Sequence, residues 1–310
     1  MLETIGLYPK VSGHTYKLYG HGFHCSKPMR LDSAPLSSIS RSTEIVHEWP
    51  RHFRLPELQS WFDSYMVQDF RIMRWQGIGD FAIGEEGKKV YMNLDPRTPW
   101  SVVQAYLLTQ VLSEILLQRG EEALHGVAVE VGGRALLFVG QSGMGKSSLL
   151  VHLLNSGARF ISDDLLVLSY GSCGYLIHRG LPRIKLYDDS QLAAKFSSDT
   201  VESLSPYTEK KIYSVAASIL SPLETIPVDQ VFVLRRTRAS APRVRKLSGV
   251  QKFQGLAKNV FNSIDRSMGR SHLQLKSLAA WSGLNVSDLY IPQKLDLLPQ
   301  VAEWIIGERN

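Results

Sequence analysis

The sequence predicts an α/β fold in two parts: a β-rich N-terminal domain over residues 1–97, then, over residues 98–310, a mixed sheet with flanking helices and a helical C-terminal region. Three observations predict it. Strand-like runs broken by glycine turns dominate the first hundred residues. From Ala135 to Asn155 an apolar run, a glycine-rich loop and a helical pattern follow one another. The strand before that run is joined to it only by Gly132-Gly133, a two-residue hairpin turn, so the two strands should be antiparallel. A chain of 310 residues, 44% hydrophobic and 21% charged, can bury the core such a fold needs.

In the N-terminal part, residues 14–25 (HTYKLYGHGFHC) and 71–93 read as strands, with Glu85-Glu86-Gly87 as a hairpin tip. Residues 31–43 are Ser- and Pro-rich loop, and the spacing in LPELQSWFDSYM (55–66) predicts a short helix. Thr98 then offers an N-cap and Pro99 an N1 residue. Val103, Leu107, Val111 and Ile115 follow at helical spacing, and Gly120 lies past the end. This apolar helix carries Gln104, Gln110 and Glu114, and the N-terminus lacks a basic-then-apolar signal, so no membrane span is expected. The two cysteines, Cys25 and Cys173, suggest neither a disulfide framework nor a zinc ribbon, and a cytoplasmic setting is the expectation. The bases behind the net charge of +6 are spread out, without the aromatic-basic alternation of a nucleic-acid module; a small anionic substrate suffices to explain them.

That anion is indicated by Gly140-Gln141-Ser142-Gly143-Met144-Gly145-Lys146-Ser147, a G-x-x-x-x-G-K-[ST] loop of Walker A type. Glycines let backbone N–H groups close on phosphate oxygens at the start of a helix, whose positive end favours the charge. The expected ligand is ATP with Mg²⁺. Gly140 to Ser148 would form the nucleotide site, Lys146 would reach the phosphates, and Ser147 would ligate the metal. The helix over 148–155 is closed by Gly157.

Beyond it, ARFISDDLLVLSY reads as a strand, an acidic pair and a second strand. Phosphoryl transfer to a hydroxyl needs a carboxylate near the attacking oxygen, and Asp163-Asp164 is the obvious source. If the pair ends a strand, its side chains point to opposite faces and take different roles; a turn pair or helix cap is the alternative. Residues 195–211, polar and Ser-rich, suggest a mobile loop near the site, 228–236 a strand, and 248–306 a mainly helical pattern. Arg235, Arg236, Arg238, Arg243, Arg245 and Lys246 suggest a solvated hairpin, with docking of an acidic peptide or nucleotide as the alternative. His14, His21, His24 and Cys25 fit no standard metal-ligand spacing.

The segment His125–Leu168 resembles the catalytic core of the HPr kinase/phosphorylase family. There, too, a His-Gly begins a hairpin, the P-loop follows, and an Asp-Asp pair lies after the P-loop helix. The resemblance implies the P-loop kinase fold shared with phosphoenolpyruvate carboxykinase, whose nucleotide strand has an antiparallel neighbour. It implies Asp163 as the general base that accepts a seryl proton, Asp164 as its metal-side partner and His125 as the residue that tunes the pair. On its own, a histidine before a strand is more often structural. GYLIHRGLP resembles the family signature through Arg179-Gly180-Leu181, although Ile177 stands where the family has glutamate. Arg179 and Arg183 could position phosphate or belong to a solvated strand face.

Residues 1–100 do not resemble the N-terminal domain of the bacterial sensor enzyme. The layout is similar to stand-alone kinases of lasso peptide clusters, which phosphorylate a serine of the precursor peptide. The expected function is therefore an ATP- and Mg²⁺-dependent kinase acting on a serine of a peptide or protein, without nucleic-acid or membrane partners and with a homo-oligomer left open. A small-molecule kinase, for instance of free serine, and a nucleotide-dependent regulatory protein are the rivals.

Overall fold

The computed structural model describes residues 13–29, 31, 33–35, 41–172, 174–187, 197–201, 210–262 and 271–308. The chain divides into two compact units, Met1–Arg97 and Thr98–Asn310.

The first unit is a seven-stranded sheet: β1 (His14–Leu18), β2 (His21–Cys25), β3 (Ser42–Val46), β4 (Phe62–Val67), β5 (Phe70–Trp75), β6 (Gly79–Gly84) and β7 (Lys89–Leu94), in the order β1-β2-β3-β7-β6-β5-β4. Glu85, Glu86 and Gly87 all take positive φ at the β6–β7 tip, where the sequence places the turn. The short helix predicted over 55–66 is absent: Phe62–Val67 pairs residue for residue with Phe70–Trp75 across a turn in which Gln68 has φ 52°. The aromatics of that segment form no helical face. They instead stack across strands, Phe62 on Trp75 at 4.9 Å between ring centroids.

The second unit opens with α1 (Trp100–Tyr106), a π-helical turn (Leu107–Val111) and α2 (Leu112–Gln118). Pro99 is itself the N-cap, so the start lies one residue later than the sequence suggested, and Gly120 beyond the end has φ 78°. Trp100–Gln118 is long and apolar enough to cross a membrane by length and composition, yet 72% of that window is buried inside the fold.

Next come β8 (Ala123–Val131), β9 (Arg134–Val139), α3 (Lys146–Asn155), β10 (Arg159–Gly171), β11 (Gly174–His178), β12 (Arg183–Tyr187), β13 (Ser197–Val201), β14 (Lys210–Ser214), β15 (Thr225–Thr237) and β16 (Arg243–Lys246). The chain continues with α4 (Gly249–Ala257), α5 (Ser271–Ala280), β17 (Val286–Pro292) and α6 (Leu298–Gly307). Seven strands form one mixed sheet in the order β11-β10-β8-β9-β15-β17-β16. As the hairpin turn at Gly132-Gly133 predicts, β9 is antiparallel to β8, while its other neighbour, β15, is parallel. The strand leading into the glycine-rich loop thus has one neighbour of each kind.

Both faces of this sheet are covered. On one, Leu149, Leu150 and Leu153 of α3 and Val301, Ala302 and Ile305 of α6 pack on Phe138, Phe232 and Leu234. On the other, Leu256 of α4 and Leu278 of α5 pack on Leu137, Val231 and Val233. Double covering explains why β17 was missed within the region read as mainly helical: Val286 to Leu289 are all buried, so no alternation marks the strand. β16 forms no hairpin with β15 but pairs antiparallel with β17 at the sheet edge, its four residues exposed.

A second, three-stranded sheet has the order β12-β14-β13. Its strand β13 lies within the stretch predicted as a mobile loop; residues 195–196 and 202–209 of that stretch lie outside the described residues.

Candidate active site

The apolar run of β9 ends at Val139, and the chain turns through Gly140 to Gly145 into α3. Gly143 and Gly145 take φ of 80° and 88°, which a residue with a Cβ adopts only under strain. Gln141, Ser142 and Gly143 are exposed, and a Cβ added at Gly143 would meet nothing within 4 Å, so the rim of the loop is open. Met144 differs from its neighbours: its side chain packs on the α3 core, leaving only its backbone to face a ligand. Lys146 is buried, and its Nζ donates to the carbonyls of Gly140 (2.6 Å) and Gln141 (3.1 Å). Burial pushes its pKa down, the charge of Lys210 adds to this, and the two aspartates oppose it. A cradle open at the rim, lined by a lysine with only backbone carbonyls as hydrogen-bond partners among the described residues, fits a polyphosphate.

The acidic pair does not separate two strands. β10 runs unbroken through it for 13 residues, with a bulge between Phe160 and Ser162, and Asp164 adopts φ 73°. A left-handed aspartate inside a strand is strained by about 1–3 kcal/mol, a cost found where a side chain must be re-aimed. Both carboxylates meet one residue, Lys185 of β12. Its backbone N–H donates to Asp163 Oδ2 at 2.8 Å, and its ammonium forms an ion pair with Asp164 Oδ2.

The two acids are driven apart. Burial, reinforced by the charge of Asp164, pushes Asp163 up to about 7. Burial works against Asp164 too, yet Lys185, then His125 and Lys210, outweigh it and hold that carboxyl below the ordinary carboxylate range.

His125 lies on β8, the strand between the loop strand and the acidic strand. Its N–H donates to the Asn259 carbonyl at 2.7 Å, and its ring packs near Phe261. Burial drives its pKa down to about 4 against the pull of Asp164, so the imidazole is neutral at pH 7. The glycine after it has a steric reason: a Cβ on Gly126 would stand 2.5 Å from the Phe138 carbonyl oxygen, in the strand that feeds the loop. Gly126 also faces Asp164 across the β8–β10 pairing. We expect Gly126→Ala to part the β8–β9 pairing and lower stability by about 1–3 kcal/mol, with a matching fall in thermal midpoint measured by calorimetry.

The remaining sequence candidates divide. Arg179 spends one nitrogen on the Ser221 carbonyl (2.8 Å). Arg183 begins β12 two residues before Lys185, on the same side of the strand by alternation. Ile177 is fully buried among Leu168, Ile226 and their neighbours, a position that accommodates isoleucine and would penalise a carboxylate. Sequence reasoning missed Lys185 and Lys210, which both act on the acidic pair. The one local signal was RIKLY, where Ile184 and Leu186 are buried and Lys185 alternates with them. Among the described residues, no three His, Cys, Asp or Glu gather as a metal cage. Mg²⁺ does not require one, since it is commonly held by one or two protein oxygens, phosphate and water; Ser147 and Asp164 supply oxygen donors of that type.

Comparison with known proteins bears on this segment. Residues 118–181 match the family model for the HPr Serine kinase C-terminal domain. The resemblance read from His125 to Leu168 is thereby borne out. An HPr kinase/phosphorylase of Treponema pallidum (strain Nichols) is 43% identical over 74 residues, covering 24% of this chain and 23% of the relative. One from Lactobacillus johnsonii is 43% identical over 58 residues, 19% of this chain and 18% of the relative. The chain thus spans about a quarter or less of the curated relatives it matches. A solved structure of the HPr(Ser) kinase/phosphatase from Coxiella burnetii aligns with a TM-score of 0.36 at 12% identity, covering 60% of this chain and 95% of that one. The HPr-kinase-like segment holds the glycine-rich loop, His125, Gly126 and both aspartates; Lys185 and Lys210 lie beyond it.

Proposed function

We propose that this chain is an ATP- and Mg²⁺-dependent kinase that phosphorylates a serine hydroxyl of a peptide or protein. The observation that carries the reading is the acidic pair beside the glycine-rich loop, divided by Lys185, whose N–H meets Asp163 while its ammonium pairs with Asp164, so that burial raises Asp163 and Lys185 keeps its neighbour ionised. A general base serves best with a pKa near the working pH, and a metal-side carboxylate must stay charged.

In this reading Asp163 accepts the seryl proton and Asp164 stands on the metal side, its charge kept by Lys185. Lys146 and the loop amides hold the phosphates, and His125, neutral at pH 7 and within the field of Asp164, is the residue that tunes the pair. Bound ATP and Mg²⁺ would supply the transferable phosphoryl group and its charge neutralisation. Arg179, already committed to Ser221, serves as loop architecture, whereas Arg183 remains a candidate for holding substrate phosphate. The finer acceptor, a lasso peptide precursor, is supported by the layout resemblance of the whole chain to those kinases.

The test is incubation of the purified chain with γ-labelled ATP, Mg²⁺ and, in parallel, a serine-bearing precursor peptide, an HPr-type protein and free serine. Label on a peptide or protein serine that excess free serine does not suppress is the expected result. Label on free serine alone would favour the small-molecule kinase, and ATP-dependent partner binding without transfer would favour the regulatory protein.

A further inference from the structure

The arginine run at the end of β15 is not uniform in its environment. Along this strand Phe232 and Leu234 face α3 and belong to the core that buries it. Alternation puts Arg236 on that same face, one step past the core, where the helix gives way to the glycine-rich loop. A Cβ placed on Gly145 would lie 2.8 Å from Arg236 Nη2 and 3.5 Å from its Cζ, so the guanidinium lies directly against the last glycine of the loop.

Two of its neighbours in the run share one carboxylate. Arg235, on the opposite face, pairs with buried Asp288 at 2.9 Å, and Arg245 pairs with the other oxygen of that carboxylate. Arg236 differs. Among the described residues its hydrogen bond runs from Nη1 to the Pro292 carbonyl at 2.7 Å, and no carboxylate pairs with it. Burial alone acts on its pKa, pushing it down, with no compensating charge. A half-buried cation anchored by one nitrogen and left without a counter-ion is costly unless an anion arrives.

We infer that Arg236 is a phosphate-binding residue of the nucleotide site, its free guanidinium edge supplying, from the neighbouring parallel strand, a second cation beside Lys146 for the polyphosphate held by the loop. This deepens the kinase reading and rests on it. The loop motif ends at Ser147, and nothing in it announces a cation some ninety residues later; adjacency of β15 to β9 creates the site.

The experiment compares the wild-type chain, Arg236→Gln and Arg235→Gln by calorimetric titration with ATP, ADP and inorganic pyrophosphate. Loss of a charge-assisted contact predicts about tenfold to hundredfold weaker binding of all three ligands to R236Q, with R235Q within about twofold of wild type. Because R236Q could also unfold, the wild type is treated in parallel with phenylglyoxal, and modified arginines are mapped by mass spectrometry. Nucleotide should protect Arg236 and leave Arg243 reactive. Equal affinities of R236Q and wild type, or modification of Arg236 unchanged at saturating nucleotide, would overturn the inference while leaving the kinase reading intact. A wild type that binds none of the three ligands would overturn both.

Discussion

Asp163→Asn is expected to lower phosphoryl transfer by about 10²–10⁴-fold, the range contributed by a positioned general base, with ATP affinity nearly unchanged. The asparagine oxygen can still accept the Lys185 N–H at 2.8 Å, so the local backbone should hold. The same substitution should stabilise the protein at pH 8. In the folded chain the Asp163 carboxyl is raised from 3.8 to about 7, so the folded state binds the proton more tightly than the unfolded one. Its stabilising contribution is full below the unfolded value and is lost as pH rises through the folded one. Asparagine carries no such penalty, so the variant should be the more stable protein at pH 8, visible as a raised thermal midpoint whose excess shrinks toward pH 4. A residue chosen for chemistry at the expense of stability gives this pairing; one chosen for structure would lose both together.

Lys146→Met is the second large effect. Lys146 contacts backbone carbonyls of its own loop, Gly140 and Gln141, and makes no ion pair with the acids that influence it. Methionine fills the same space but leaves the buried Gly140 carbonyl without this donor, so the apo protein should lose about 1–3 kcal/mol. Transfer should fall by about 10²–10³-fold, as when one fixed donor to developing charge is removed, and ATP binding should weaken as well. Transfer rates and calorimetric affinity measured on the same preparation separate the two losses. A variant that transfers phosphate normally would place the phosphates elsewhere.

The parts of this site visible in the sequence are those whose physics is local. Gly140 to Ser147 specify a loop by their own conformational needs, and Gly132-Gly133 specify a hairpin, hence the antiparallel neighbour of β9. Asp163 and Asp164 were visible as a pair. Their geometry was not, because the left-handed turn at Asp164 and the bulge before it depend on the pairing with β8 and on Lys185. Lys185, Lys210 and Arg236 come from three segments whose convergence only the folded sheets determine; the two lysines read in sequence as ordinary solvated bases, and Arg236 as one of a basic run with no sign of which member meets the loop. β4 and β17 were lost for opposite reasons. The aromatics of β4 happened to fall at helical spacing, and β17 is covered on both faces, so it shows no alternation at all.

Asp163 and Asp164 are expected to titrate several pH units apart. Carbon-13 NMR of the chain labelled at aspartate carboxyls, followed from pH 3 to pH 9 and assigned with Asp163→Asn, measures this directly. The expected result is one resonance, absent from the variant, titrating near pH 7, while that of Asp164 stays in its ionised position throughout. Two carboxyls that both titrate near the ordinary value of 3.8 would contradict it.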